Sequence, residues 1–151
     1  PADRPGGGRR RARLTVSGVT RTRTDRRARQ NGGVARSVLI VDDHPSFRAT
    51  ARMLLELEGY EVVGDVADGE TALAEAVALR PDVVLLDVNL PGIDGFEAAG
   101  RLRALDPAPA VVLVSSRDAS EYGSLVRASG ARGFIAKADL SGTALEEVLA
   151  A

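Results

Sequence analysis

Cysteine is absent from the 151 residues, and histidine occurs once, at His44. With no thiol there is no disulfide framework and no thiolate metal site, which fits a reducing compartment. The single imidazole has no second His or Cys at ligand spacing and reads as a loop residue opening the first helix. No apolar run approaches the roughly 18 residues that a membrane-spanning helix needs, and the N-terminus lacks the apolar segment of a secretory signal. These absences predict a soluble, cytoplasmic chain with no membrane partner.

What is present looks like one ordinary globular domain: 44% hydrophobic residues, 27% charged, and a net charge of −1. The near-zero total hides an asymmetry. Residues 1–36 hold eleven arginines against only Asp3 and Asp25, a formal +9, which leaves −10 for residues 37–151. The first stretch is rich in Gly, Arg and Thr and almost free of large apolar residues, so it cannot offset the entropy of ordering itself and reads as a disordered tail. Its positive charge could contact nucleic acid weakly by counterion release, although it has no aromatic residue on which a base could stack.

From Val38 onward, short apolar runs alternate with segments of helical period. VLIV (38–41) precedes a helix whose apolar stripe is Phe47, Ala51, Leu54, Leu55 and Leu57, ended by Gly59. EVVGDV precedes a helix over about 70–79, and DVVLLDV precedes one over about 96–105. AVVLVSS (110–116) precedes a helix near 121–128, and GFIAK (133–137) precedes a last helix from about Gly142. Strands joined through helices pair in parallel with right-handed crossovers, so five such repeats predict an α/β, doubly wound five-stranded parallel sheet with helices on both faces.

In such sheets ligands bind beyond the carboxyl ends of the strands. The first strand ends on Asp42 and Asp43, the third on Asp87, the fourth on Ser115 and Ser116, and the fifth on Lys137. Each residue alone has a bland reading. Paired aspartates at a strand end are commonly turn or capping residues, Lys137 a solvated charge, Phe134 a core residue, and Asp94 a helix cap. Their convergence on one rim is harder to explain that way. Three carboxylates held together cannot all stay ionised without a cation among them. Oxygen ligands with open positions suit Mg²⁺, which commonly takes phosphate oxygens as further ligands, and a hydroxyl and an ammonium are groups that hold a phosphoryl.

The segments LIVDDH, PDVVLLDVNLPGIDGFE, VVLVSS and GFIAK, in this order and spacing, resemble the receiver domain of bacterial two-component response regulators. The resemblance spans residues 37–151 and implies the flavodoxin-like strand order 2-1-3-4-5. It implies that Asp87 is the phosphoacceptor, taking its phosphoryl group from a histidine kinase or phosphotransfer protein. Mg²⁺ would be held by Asp42, Asp43, Asp87 and the backbone carbonyl of Asn89. Ser115 and Lys137 would bind the phosphoryl group, Phe134 would be the aromatic switch, and Asn89 and Arg117 would tune the lifetime of the phosphorylated state. Phosphorylation would remodel the surface of helix four, strand five and helix five, a surface that could also form a homodimer. Ser115 stands where threonine is usual, and Ala138 where many receivers have proline.

DDHPSFR is most similar to receivers that precede a helix-turn-helix output domain. The chain ends at Ala151, near the expected end of the fifth helix, so DNA would be reached only through a domain absent here or weakly through the tail. Two rivals come from other classes. One is a receiver fold that binds partners without phosphorylation, against which the intact acceptor, metal and lysine positions count. The other is a small phosphatase on the same sheet, which would need a second aspartate two residues after the nucleophile, where Asn89 stands, and a nucleophile on the first strand. Otherwise no enzyme with an external substrate is expected.

Overall fold

The computed structural model describes residues 35–151, so the disorder expected of residues 1–36 falls almost wholly outside the described residues. Arg36 already takes part in the fold, its carbonyl accepting the Glu61 amide at 2.9 Å. The alternating apolar runs are the strands β1 (Ser37–Val41), β2 (Glu61–Val66), β3 (Val83–Asp87), β4 (Ala110–Ser115) and β5 (Gly133–Ala136). Between and after them come the helices α1 (Pro45–Leu57), α2 (Gly69–Leu79), α3 (Gly95–Arg103), α4 (Leu125–Ala128) and α5 (Gly142–Ala150). All strand pairs are parallel, in the order β2-β1-β3-β4-β5.

β1 and β3 are buried along their whole length, which is why they read as unbroken apolar runs rather than as alternating patterns. Successive side chains still point to opposite faces. Val38, Ile40, Val83, Leu85, Val112 and Val114 meet Ala51 and Leu55 of α1 and Leu145 and Leu149 of α5. Leu39, Val41, Val84, Leu86 and Leu113 meet Ala72 and Ala76 of α2 and Ala98, Ala99 and Leu102 of α3 on the other side. Three helices are capped by side chains as their sequences allow: Asp68 accepts from the Thr71 amide, Asp94 from Glu97 and Ser141 from Ala144.

Two elements differ from the sequence reading. Leu57 is 82% exposed rather than part of the α1 stripe: it lies two residues beyond the buried Leu55, about 200° around a helix with 3.6 residues per turn. The helix expected near 121–128 is only the single turn of α4, preceded by a 3₁₀ turn at Ala119–Glu121. Gly123, at φ +52°, lies between the two in the left-handed region and breaks the helical path.

Strand register sets the rim. Val41 pairs with Leu86, Asp87 with Val114, and Ser115 with Ala136. The next residue of β1 therefore stands beside the last of β3, and Lys137 follows directly on the pairing partner of Ser115. The order reverses at β1, which pairs with both β2 and β3, and this is the switch point at which an open sheet leaves a crevice.

Gly95 brings the start of α3 down onto the end of β3. A Cβ there would lie 2.3 Å from the Asp87 carbonyl oxygen and 2.7 Å from the Val88 Cα, backbone atoms that cannot turn aside. Gly95→Ala should destabilise the fold by about 1–3 kcal/mol through overpacking. Gly100→Ala, exposed on the same helix with nothing within 4 Å, should be neutral or stabilising by up to about 1 kcal/mol. Denaturant unfolding of the two variants checks the contrast, and equal stabilities would refute the close approach.

Candidate functional site

Asp42 follows directly on β1, where its amide continues the ladder by donating to the Val66 carbonyl at 3.0 Å. Its side chain is fully buried, and Asp87, at the end of β3, is 2% exposed. Asp43 is exposed beside them. A carboxylate oxygen from each of the three, together with a ring nitrogen of His44, can be chosen so that all lie within 4.8 Å of one another. Ordinary folding would not place two nearly inaccessible carboxylates side by side, because each unpaired ion costs several kcal/mol to desolvate.

Lys137 offsets part of that cost. Its Nζ lies 2.6 Å from Asp42 Oδ2 and 3.3 Å from Asp87 Oδ2, and 4.5 Å above the ring of Phe47. The contact with Asp42 is close but poorly aligned, so Oδ2 has a charge partner and yet no directed hydrogen bond. Asp42 Oδ1 is better served, accepting the His44 amide at 2.8 Å and lying 3.0 Å from His44 Nδ1. Arg48 does not neutralise these side chains: its guanidinium reaches the Asp42 backbone carbonyl and pairs with Asp65.

The titration of the group follows from this geometry. Burial pushes the Asp87 carboxyl above the usual range, and the nearby Asp42 adds to the shift, while the Asn89 amide at 3.1 Å and Lys137 oppose it. For Lys137 burial acts to lower the ammonium pKa, but the carboxylates of Asp42 and Asp87 outweigh it and the net shift is upward. With all three carboxyls ionised, one ammonium leaves the rim two charges short. The three carboxylates gathered within reach of one centre and the residual negative charge fit a hard divalent cation such as Mg²⁺.

Ser115 ends β4 on the same rim and is fully buried. Its Oγ accepts the Arg117 amide at 3.2 Å and lies 2.6 Å from the Tyr122 hydroxyl. Phe134, on β5, is half-buried against the ring of Tyr122. The structure thus brings Asp42, Asp43, Asp87 and Lys137 together. Asn89 follows in the adjoining turn and Ser115 ends the neighbouring strand. The Arg117 side chain lies apart, exposed and 3.5 Å from Glu121.

Sequence reasoning missed three contributors. In sequence His44 reads as a plain loop residue. It is the residue before α1, as expected, yet its ring touches both Asp42 and Asp43 at 3.0 Å; its adjacency to the aspartate pair was the available signal. Phe47 reads in sequence as part of the α1 core stripe alone, yet it also lies under Lys137. Tyr122 was not singled out, and only its rarity, as one of two tyrosines among five aromatic residues, set it apart.

Residues 38–148 match the response regulator receiver domain family. The chain is 41% identical over 115 residues to the response regulator GacA of Pseudomonas aeruginosa, covering 76% of this chain and 52% of that protein. It is 38% identical over 100 residues to the transcription regulator BvgA of Bordetella pertussis, covering 66% and 48%. The chain therefore spans about half the length of the curated relatives it matches. Among solved structures, a LuxR-family two-component response regulator from Aurantimonas superposes with a TM-score of 0.70 at 32% identity, covering 77% of this chain and 86% of that one. The signal receiver domain of NarL from Mycobacterium tuberculosis gives the same score and identity, with coverage of 78% and 99%. Fold, rim and sequence match agree, and the chain belongs to the response regulator receiver domain family.

Proposed function

We propose that this receiver domain accepts a phosphoryl group on Asp87 from a phosphohistidine of a histidine kinase or phosphotransfer protein and relays the change to a distant surface. As a receiver domain it is not an enzyme acting on an external substrate. The observation that carries the reading is the buried pair Asp42–Asp87 sharing one lysine at the carboxyl edge of the sheet.

In the transfer, an ionised oxygen of Asp87 attacks phosphorus in line. The phosphorus–nitrogen bond of the donor breaks, and its electron pair leaves with the imidazole. Asp42, Asp43, Asp87 and the backbone carbonyl of Asn89 would hold Mg²⁺, which when bound supplies positive charge to the equatorial oxygens. Lys137, which lies between Asp42 and Asp87, would pair with a phosphoryl oxygen, and Ser115 would supply a hydroxyl. The Asn89 amide on Asp87 Oδ1 fixes the carboxylate plane. Asn89 and the Arg117 loop border the site and would set how readily water reaches the acyl phosphate.

The switch would run through Ser115 and Phe134 to the surface of α4, β5 and α5, biasing a two-state equilibrium by a local charge change. That surface would control an output in trans, on a second copy of the chain, or through a DNA-binding domain beyond it. The last route is supported by relatives of which the matched region makes up only about half. Among the described residues no helix is long and apolar enough to cross a membrane, and a cytoplasmic site of action follows from the proposed kinase partner. The stretch 1–35 would be a tail to the receiver unit, which takes in Arg36.

Intact mass after incubation with acetyl phosphate tests the central step. One phosphoryl adduct that requires Mg²⁺ and is lost in Asp87→Asn is expected; no adduct under any condition would favour a receiver fold that works without phosphorylation. Asp43→Ala should weaken Mg²⁺ binding by at least the roughly tenfold typical of losing even a supporting partner, whereas Lys137→Ala should bind Mg²⁺ at least as well as wild type while failing to respond to phosphorylation. Calorimetric titration separates the two, and unchanged affinity in Asp43→Ala would remove that residue from the metal site.

Metal-free stability gives an independent check. A carboxyl with a raised folded pKa holds its proton more tightly in the folded chain. Stability therefore falls as pH rises from the ordinary 3.8 through the folded value of Asp87, and the cost is fully present above that window. Asp87→Asn should be more stable than wild type at neutral pH without metal, and the gap should close as pH falls through the folded value. Adding Mg²⁺ at about a hundred times its wild-type Kd should shift the balance toward wild type, contributing about 2.7 kcal/mol to it and less to Asp87→Asn, which lacks one ligand. A gap independent of pH in thermal or denaturant unfolding would contradict the assignment.

A further inference from the structure

The hydroxyl that ends β4 is already engaged. Among the described residues Ser115 Oγ has two hydrogen-bond partners, the Arg117 amide and the Tyr122 hydroxyl, and the second, at 2.6 Å, is the shorter. A serine oxygen has one proton and two lone pairs, so these contacts fix its rotamer and use most of its capacity. Turning it toward a group on Asp87 requires the Tyr122 bond to lengthen or break.

Tyr122 is not an isolated partner. It follows the 3₁₀ turn in the loop between β4 and α4, and its ring lies edge-on to Phe96 of α3, with centroids 5.6 Å apart at 63°. On its other side it meets Phe134 of β5 at 5.7 Å and 48°. Three of the chain's five aromatic residues thus form one row from α3 to β5, and the middle one carries a hydroxyl bonded to Ser115. Gly123, in the left-handed region, follows immediately and gives the loop a pivot beside the ring.

We propose that Tyr122 is a positioning residue of the phosphoryl site: its hydroxyl holds Ser115 in the resting rotamer, and its release carries the movement of Ser115 into the loop before α4 and onto Phe134. This rests on the reading of Asp87 as phosphoacceptor. It adds to the pair Ser115–Phe134 a third group, on the β4–α4 loop, that bonds the one and packs against the other. No bond is made or broken beyond hydrogen bonds.

The test uses beryllium fluoride with Mg²⁺ as a stable phosphoryl mimic, titrated against the full chain. Tyr122→Phe keeps the ring and removes only the resting bond, so it should bind the mimic about threefold to tenfold tighter than wild type, the worth of one net hydrogen bond. Its affinity for Mg²⁺ alone should be unchanged. In a Ser115→Ala background the same substitution should have no effect, because the bond it deletes is already gone. Equal affinities for wild type and Tyr122→Phe would overturn the proposal, as would the same gain in both backgrounds or a parallel change in Mg²⁺ affinity, either of which marks a general loosening of the loop. Failure of the wild type itself to bind the mimic would instead overturn the phosphoacceptor reading and this inference with it.

Discussion

Two carboxylates with almost no access to water, Asp42 and Asp87, share one ammonium at the edge of a parallel sheet. The rest of the molecule is arranged around the cost of that placement. Desolvation makes each charge unfavourable, and proximity makes the pair worse. Lys137 relieves the pair, but it is itself partly desolvated and remains charged because the carboxylates hold it so. Phe47 supplies an aromatic face to the same ammonium, a contact worth about 0.5–2 kcal/mol depending on desolvation. The site is thus held under-neutralised, a state that favours binding a cation.

The sheet can bear this cost because its core is two-sided. Every strand that feeds the rim is anchored by apolar side chains on both faces, packed against α1 and α5 on one side and α2 and α3 on the other. The rim residues are therefore extensions of the stiffest part of the fold, and their separations are set by strand register rather than by loop conformation. Gly95 completes the frame by letting α3 begin against the Asp87 backbone, which leaves little room for the end of β3 to shift.

The β4–α4 side is built differently. Residues 116–121 are exposed, the helix there is one turn long, and Gly123 interrupts it. Little apolar burial holds this segment, so it belongs to the part of the structure where local rearrangement costs least. Its firmest ties are the Tyr122 hydroxyl on Ser115 and the Tyr122 ring between Phe96 and Phe134. A rigid rim that gathers charge thus adjoins a lightly held loop through one hydrogen bond and an aromatic row.

By itself the sequence determined the five strand–helix repeats, the parallel sheet and the rim set of Asp42, Asp43, Asp87, Ser115 and Lys137, because unbroken apolar runs ending in polar residues are dictated locally by burial and strand length. It also determined the cap at Asp94 and the stop at Gly59, where short-range hydrogen bonding and backbone freedom decide the outcome. Only the tertiary structure decided that Leu57 faces solvent, that α4 shrinks to a turn, that Phe47 lies beneath Lys137 and that Tyr122 holds Ser115. These features depend on which surfaces meet across the fold. A residue such as Tyr122 bears no local mark of its role, since a ring that packs between α3 and β5 while its hydroxyl reaches β4 is defined by three elements distant in the chain.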